Sequence, residues 1–272
     1  MAKNRSDKTR SNTKPFRPAQ STKSVTLRLH FSHAGEAHFL FETLSYFIGF
    51  RIYLRLRKRR GDVVTDEHRW ALIAAALVGA AVGSKVLNWF VAPQILFRNW
   101  SNPYFLMSGK TVVGGLIGGL FAVEWTKRML GVKRRTGDLF AIPLCAGIAI
   151  GRVGCFLAGL QDDTYGVATG LPWGVDFGDG VARHPTQLYE VVWLCLVALW
   201  LWRLSRSSYR EGDLFKTFMV AYFVFRLAVE FIKPGAPIAG LTAIQWSSAA
   251  MLVYYAPDLP RLIGFRKAEK ND

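Results

Sequence analysis

Cysteine is scarce in this sequence, which limits the chemistry that cysteine could support. Its 272 residues include three cysteines, Cys145, Cys155 and Cys195, and each lies in or beside an apolar segment. None is spaced from another as metal ligands are, and a disulfide framework is not expected. The sequence also lacks a nucleotide-binding glycine loop and a redox motif. It therefore predicts no metal and no cofactor, and the lack of an internal repeat disfavours a secondary transporter.

Acidic residues are few as well. The sequence has 19 Asp and Glu against 35 Lys and Arg, which gives a formal net charge of +16. In a soluble protein this excess would suggest nucleic-acid binding. Here 51% of the residues are hydrophobic, and basic residues beside apolar segments set membrane orientation and bind anionic lipid head groups. We therefore expect anionic membrane lipids as partners, and no nucleic acid.

The apolar residues come in blocks and show no amphipathic period. A helix needs roughly 17–25 residues to cross a bilayer. About seven blocks reach this length by that criterion, at residues 39–56, 70–92, 111–130, 139–158, 188–204, 214–233 and 241–257. The sequence therefore predicts an all-α polytopic membrane protein with about seven transmembrane helices.

These blocks divide the chain into three parts. We expect residues 1–37 to form a basic, disordered arm, residues 38–258 the transmembrane domain, and residues 259–272 a basic tail. Basic connections follow the odd-numbered blocks, whereas the fourth connection carries Asp162, Asp163, Asp176 and Asp179. The positive-inside rule then places the C-terminus in the cytoplasm and the acidic connection outside. The basic arm would have to be translocated, or the first block would be re-entrant.

Several ionisable residues lie inside the apolar blocks, where a charge is expensive. Arg226 and Glu230 lie four residues apart in the sixth block, so they share a helix face and could simply pair with each other. Arg152 lies deep in the fourth block and has no carboxylate three or four residues away. It needs a partner from another element or from a ligand, and a phosphate suits its planar fork. The arginines thus predict either an anionic-lipid site or a structural network.

A polar octapeptide, RHPTQLYE, precedes the fifth block. Its His184 is suited to act as a base near neutral pH. Pro185 biases His184 away from helix, which fits a turn leading into the fifth helix with Pro185 or Thr186 near its first turn. Arg183, Gln187 and Tyr189 would line the mouth of a lipid site. The alternative is that these side chains cap the helix and lie at the membrane interface.

Five segments together carry a resemblance to a known family. GRVGCF, RHPTQLYE and FRLAVEFIKP occur in this order, with SYFIGF in the first block and LTAIQW in the last. This pattern, over roughly residues 39–257, resembles the bacterial prolipoprotein diacylglyceryl transferase family. RHPTQLYE is its most specific part, and FRLAVEF supports it.

The resemblance implies a seven-span enzyme of the bacterial inner membrane. Family members move the diacylglyceryl group of phosphatidylglycerol onto the lipobox cysteine thiol of a prolipoprotein, and glycerol phosphate leaves. By motif match, Arg152 and Arg226 correspond to the family's essential arginines and Glu230 to its acid. Together with His184 they are the predicted catalytic residues. The predicted substrate-binding residues are Arg183, Gln187, Tyr189, Tyr46, Glu42 and Gln245.

The sequence departs from the family pattern where the family has its usual base. Val113 stands in place of the family's His beside the Gly-Gly pair, and Cys155 in place of an Asn. Other departures are Ala158, Leu160 and, near the first-span Tyr, Glu42. The base could be His184 or Glu42, or acids could come from Asp162 or Asp163. The alternatives are a phospholipid-binding protein without chemistry, a transferase with another acceptor, and a flippase.

Overall fold

Ten α-helices make up most of the part of the chain that the computed structural model describes, residues 27–28 and 34–264. Seven of them coincide with the seven predicted blocks. The helices are α1 (Ala34–Arg60), α2 (Asp66–Val91), α3 (Pro93–Asn99), α4 (Pro103–Met107), α5 (Val112–Met129), α6 (Asp138–Ala158), α7 (Thr186–Leu204), α8 (Asp213–Val229), α9 (Ala243–Tyr255) and α10 (Leu259–Ile263). Short 3-10 turns follow α6, α8 and α9, at Gly159–Asp162, Glu230–Ile232 and Ala256–Asp258.

The predicted helical class is confirmed. Three helical segments are long and apolar enough to cross a membrane, Asp66–Val91, Asp138–Asp162 and Thr186–Leu204. Large apolar side chains point outward from the bundle, as they would toward lipid. Examples are Leu77, Val82, Phe121, Val192 and Val253.

Local sequence explains where several helices begin. The Thr65 hydroxyl accepts from the N–H of His68 at the start of α2, and Thr111 does the same for Gly114 at the start of α5. Thr242 and Gln245 form a reciprocal capping box at the start of α9. α7 begins at Thr186, directly after Pro185, as predicted.

Contacts between helix termini define two ends of the bundle. At the first end, Arg60 of α1 donates to Ser205 after α7, and Asp138 of α6 accepts from Gly212 and Phe215 at the start of α8. We call it the basic end, because α1, α5 and α7 carry basic residues in their last turns there. The opposite end gathers the start of α1, the end of α6, the start of α7 and the end of α8. We call it the loop end, because it carries residues 159–185.

A small sheet lies in the connection at the loop end. β1 (Leu27–Arg28) pairs in parallel with β2 (Val175–Asp176), which pairs antiparallel with β3 (Ala182–Arg183). Residues 1–26 and 29–33 of the predicted arm, and residues 265–272 of the predicted tail, lie outside the described residues.

The helical region extends beyond the predicted limits of 38 and 258 on both sides. α1 begins at Ala34. On the other side, Leu262 of α10 is buried, and Arg261 pairs with Asp213 and Asp258. Both predicted boundaries therefore fall within folded structure, because hydropathy does not register the polar ends of these helices.

Glycines spaced four apart bring α2 and α5 into backbone contact, as this spacing predicts. A methyl group at Gly83 would lie 2.4 Å from the carbonyl oxygen of Gly114, and one at Gly79 would lie 2.5 Å from that of Gly118. The main apolar core lies between α6, α7, α8 and α9 and includes Leu194, Leu201, Phe218, Phe223 and Met251.

Candidate functional site

A buried carboxylate, Glu190, lies between two arginines at the loop end. Its Oε2 is 2.9 Å from Arg152 Nε and 3.1 Å from Arg226 Nη1. Its Oε1 accepts a hydrogen bond of 2.6 Å from the Tyr222 hydroxyl. All four side chains are buried. Helices α6, α7 and α8 thus bring charged groups together where each alone would be costly.

Arg226 also pairs with Glu230, as their spacing predicts. Arg226 Nη2 donates to Glu230 Oε2 at 2.8 Å, and Nη1 donates to Glu190. α8 ends at Val229, and Glu230 opens the following 3-10 turn. Both terminal nitrogens of Arg226 are therefore bound to carboxylates, which fixes its guanidinium in place.

The carboxylate partner of Arg152 is Glu190, which lies on α7. The Nε of Arg152 is close to Glu190, yet the geometry does not make a hydrogen bond, and this nitrogen is buried without one. Its Nη1 contacts Cys155 Sγ at 3.8 Å, and no described residue accepts from its Nη2. Arg152 is thus charge-paired, and among the described residues its Nη2 has no acceptor, so this group can donate to an oxyanion.

Gln187 lies one turn before Glu190 on α7, on the same helix face. It is 1% exposed, and neither its amide nitrogen nor its amide oxygen has a hydrogen-bond partner among the described residues. Buried polar groups are normally bonded, because leaving one unpaired costs about 1–3 kcal/mol. An unpaired amide one helical turn from Glu190 is consistent with the predicted role of Gln187 in contacting substrate.

Arg183 and His184 lie in the connection before α7 and Tyr189 in the first turn of α7, and their described contacts do not reach the arginines. His184 Nδ1 is 3.1 Å from the Tyr189 hydroxyl, which accepts from Trp173 Nε1 at 2.9 Å. Arg183 forms a two-point pair with Asp179, with both N–O distances 2.7 Å. These hydrogen bonds with Arg183 lower the pKa of Asp179 to about 2. The structure therefore separates His184 and Arg183 from Glu190.

Gln245 and Tyr46 differ in their surroundings. Gln245 is buried, its oxygen accepts from the Thr242 N–H at 2.9 Å, and its nitrogen donates to Leu227 O at 3.4 Å. Its side chain therefore caps α9 and is not free for substrate. Tyr46 is 66% exposed, and its hydroxyl donates to Glu42 at 3.3 Å.

Glu42 connects α1 to the segment before α5. It accepts a hydrogen bond from Lys110 Nζ, and its Oε2 lies 3.9 Å from His38 Nδ1. Val113, where the family has its usual His, is 1% exposed and belongs to the apolar core. No base is available at that position.

Sequence reasoning assigned no role to Glu190, Tyr222 or His38. Glu190 is the last residue of the quoted octapeptide, and Tyr222 lies one turn before Arg226, so helical spacing could have identified Tyr222 as a neighbour. His38 lies just before the first apolar block. Nothing in its local sequence indicates that it meets α6.

Fold and site together define the class: a helical bundle with helices able to cross a membrane and a buried arginine–carboxylate network at one end. A family model described as prolipoprotein diacylglyceryl transferase matches residues 37–256. The chain belongs to this family of bacterial membrane enzymes, and the resemblance seen in its motifs is confirmed.

Curated relatives cover most of the chain. It is 30% identical over 247 residues to the phosphatidylglycerol–prolipoprotein diacylglyceryl transferase of Geobacter sulfurreducens, a match covering 82% of this chain and 89% of the relative. The enzyme of the same name from Solidesulfovibrio magneticus is 32% identical, with 77% and 83% covered. That of Bordetella parapertussis is 31% identical, with 77% and 86% covered.

Proposed function

We propose that this protein transfers the diacylglyceryl group of phosphatidylglycerol to the lipobox cysteine thiol of prolipoproteins. The observation that carries the proposal is the buried Arg152–Glu190–Arg226 network in a chain of this family. The names of its relatives supply the donor lipid and the acceptor class. The network supplies cationic donors held in a fixed geometry.

The reaction requires groups that stabilise the negative charge that develops on the phosphate oxygen as it leaves. The acceptor thiolate attacks the glyceryl carbon, a C–S bond forms and the C–O bond to phosphate breaks. The electron pair leaves with the phosphate oxygen as glycerol phosphate. Arg152 meets this charge with its Nη2, which has no acceptor among the described residues, while Arg226, held by Glu190 and Glu230, keeps the network rigid.

Substrate contacts follow from the surroundings of the network. Gln187, one helical turn from Glu190, offers buried amide atoms without a partner among the described residues and contacts the lipid head group. Tyr46 and Glu42 line the α1 side, and Arg183 and His184 before α7 form a polar rim with Tyr189 in its first turn. Gln245 caps α9 and is therefore not among the proposed substrate contacts.

The chain crosses the bacterial inner membrane seven times, with the C-terminus in the cytoplasm. In support, seven of its helices coincide with the apolar blocks, and their termini alternate between the basic end and the loop end. Basic last turns on α1, α5 and α7 favour a cytoplasmic basic end. The loop end then faces outward, where secreted precursors arrive.

The test uses purified protein, phosphatidylglycerol and a lipobox-cysteine peptide, with product scored by mass spectrometry. Wild type should add a diacylglyceryl mass to the peptide, and Arg152→Ala and Arg226→Ala should abolish this gain while still folding. Arg128→Ala, an exposed arginine of the basic end, is the matched control and should keep activity. If both Arg152→Ala and Arg226→Ala kept full activity, the assignment of this site would be contradicted.

A second candidate is a phosphatidylglycerol-binding protein without chemistry. The burial of Val113 in the apolar core, which removes the family's usual base, favours it. It predicts saturable lipid binding that Arg152→Ala weakens, with no diacylglyceryl product. A thioether-linked product dismisses it.

A further inference from the structure

Three potential metal ligands converge beside the arginine network. His38 of α1, Cys155 of α6 and Asp162 of the following 3-10 turn each point one ligand atom at a common space. The three atoms lie within 4.8 Å of one another. His38 Nε2 is 3.2 Å from Asp162 Oδ1 and 3.9 Å from Cys155 Sγ. A single imidazole nitrogen thus faces both a carboxylate oxygen and a sulfur.

These distances match a tetrahedral zinc site. With Zn–S of about 2.3 Å and Zn–N and Zn–O of about 2.0–2.2 Å, tetrahedral ligand atoms lie roughly 3.4–3.6 Å apart. The observed separations of 3.2 and 3.9 Å bracket this range. An ion pair between His38 and Asp162 alone would not require the sulfur to face the same nitrogen. Thiolate and imidazole ligands together favour zinc over magnesium or calcium.

Neighbouring groups orient the ligands as in known metal sites. Glu42 Oε2 lies 3.9 Å from His38 Nδ1, the ring nitrogen that does not face Cys155, and at this distance its negative charge acts on the ring without a hydrogen bond. Thr164 donates to Asp162 Oδ2, which leaves Oδ1 facing His38. Cysteinate and aspartate neutralise Zn²⁺, and the charge of Arg152 is matched by Glu190.

We infer that His38, Cys155 and Asp162 bind a zinc ion whose fourth position takes the acceptor thiol. This inference rests on the proposed function for the acceptor. A zinc-bound thiol is deprotonated, so its proton passes to solvent and the thiolate remains the nucleophile. The site replaces the base that Val113 removes. Cys155 Sγ is 3.8 Å from Arg152 Nη1, which places the thiolate beside the arginine that binds phosphate.

Zinc binding is measured on the full chain in detergent, purified without a histidine tag. Wild type should hold about one zinc per chain, and His38→Ala, Cys155→Ser and Asp162→Asn should lose it. Matched controls are His68→Ala, Cys195→Ser and Asp163→Asn, which should keep it. Asn tolerates the left-handed backbone of Asp163 (φ 55°). Glu42→Gln should weaken zinc affinity about 10–100-fold.

Cobalt substitution reports the ligands without relying on turnover. The Co²⁺ form should show a thiolate charge-transfer band that Cys155→Ser abolishes and that a lipobox-cysteine peptide strengthens, whereas the matching serine peptide does not. No zinc and no such band in wild type overturns the inference. Product formation that persists in zinc-free protein also overturns it, while the proposed function stands. Zinc and the peptide-dependent band without product would support the metal site and count against the proposed function.

Discussion

Each end of the bundle holds one carboxylate between two arginines. At the basic end, Asp62 accepts from Arg57 Nε at 2.7 Å and from Arg69 Nε at 2.8 Å. At the loop end, Glu190 lies between Arg152 and Arg226. Arg69 and Arg226 are both buried. The two clusters therefore share their charge pattern and a buried arginine, although Asp62 and Arg57 are only partly buried.

The hydrogen bonds of the buried arginines distinguish the two clusters. Arg69 donates to Asp62 through Nε and Nη2 and to the Thr136 carbonyl through Nη1, at 2.9 Å. At the loop end, the Nε atoms of Arg152 and Arg226 and both amide atoms of Gln187 are buried without a partner among the described residues. A satisfied network rigidifies a fold, whereas an unsatisfied one retains donors for a ligand. The Asp62 cluster at the basic end therefore stabilises the fold, and the Glu190 cluster at the loop end is the candidate catalytic site.

The largest expected effect comes from removing each central carboxylate. Glu190→Gln leaves the buried guanidinium of Arg152 without its carboxylate and Arg226 with Glu230 alone, and breaking a buried pair costs about 3–5 kcal/mol. We expect it to lower the melting temperature in detergent and to abolish turnover per folded molecule. Asp62→Asn should also lower the melting temperature but keep turnover per folded molecule. If Glu190→Gln kept wild-type turnover per folded molecule, the Glu190 cluster would be structural like the Asp62 cluster, and the assignment would be contradicted.

A smaller effect is expected when an arginine at each end is changed to lysine. Lysine keeps the charge but loses the planar fork. Arg152→Lys should lower turnover by about 10²–10³, the size of losing a preorganised donor. Arg69→Lys should reduce stability and leave turnover per folded molecule unchanged. The measurement is product formation normalised to the folded fraction, and an equal loss in both variants would contradict the assignment.

The smallest expected effect is the loss of stability at acid pH that the protonation of Asp62 at the basic end causes. Burial alone would raise the pKa of Asp62, but its bonds with Arg69 and Arg57 outweigh burial and lower that pKa. As the pH falls, Asp62 therefore becomes protonated in the unfolded chain at a higher pH than in the folded protein. The stabilisation is fully present above pH about 4, the ordinary Asp value, and is lost as pH falls through the folded pKa.

Thermal unfolding between pH 6 and pH 3 checks this effect. The stability of Asp62→Asn should fall less steeply than that of wild type over the acid part of this range. Parallel curves would show that Asp62 contributes nothing to the pH dependence.

Part of the site was predictable from local spacing. The Arg226–Glu230 pair and the start of α7 at Thr186 were predicted correctly, because both depend on neighbours within one helical turn. Gln245 was predicted to bind substrate and instead caps α9, since its capping partner, Thr242, lies within the same short segment. The segment LTAIQW contains the Thr-x-x-Gln spacing of a capping box, so this role could have been predicted from the sequence.

The sequence by itself determined which segments are helical, the family, and that arginines lie inside apolar segments. These properties depend on hydropathy, on helical period and on motifs read along the chain. Only the tertiary structure decided that Glu190 pairs with Arg152, and that His38 meets Cys155, 117 residues away. Such contacts depend on how each helix is rotated and how far it slides against its neighbours. Packing of the whole bundle sets that rotation and register, and no local pattern specifies them.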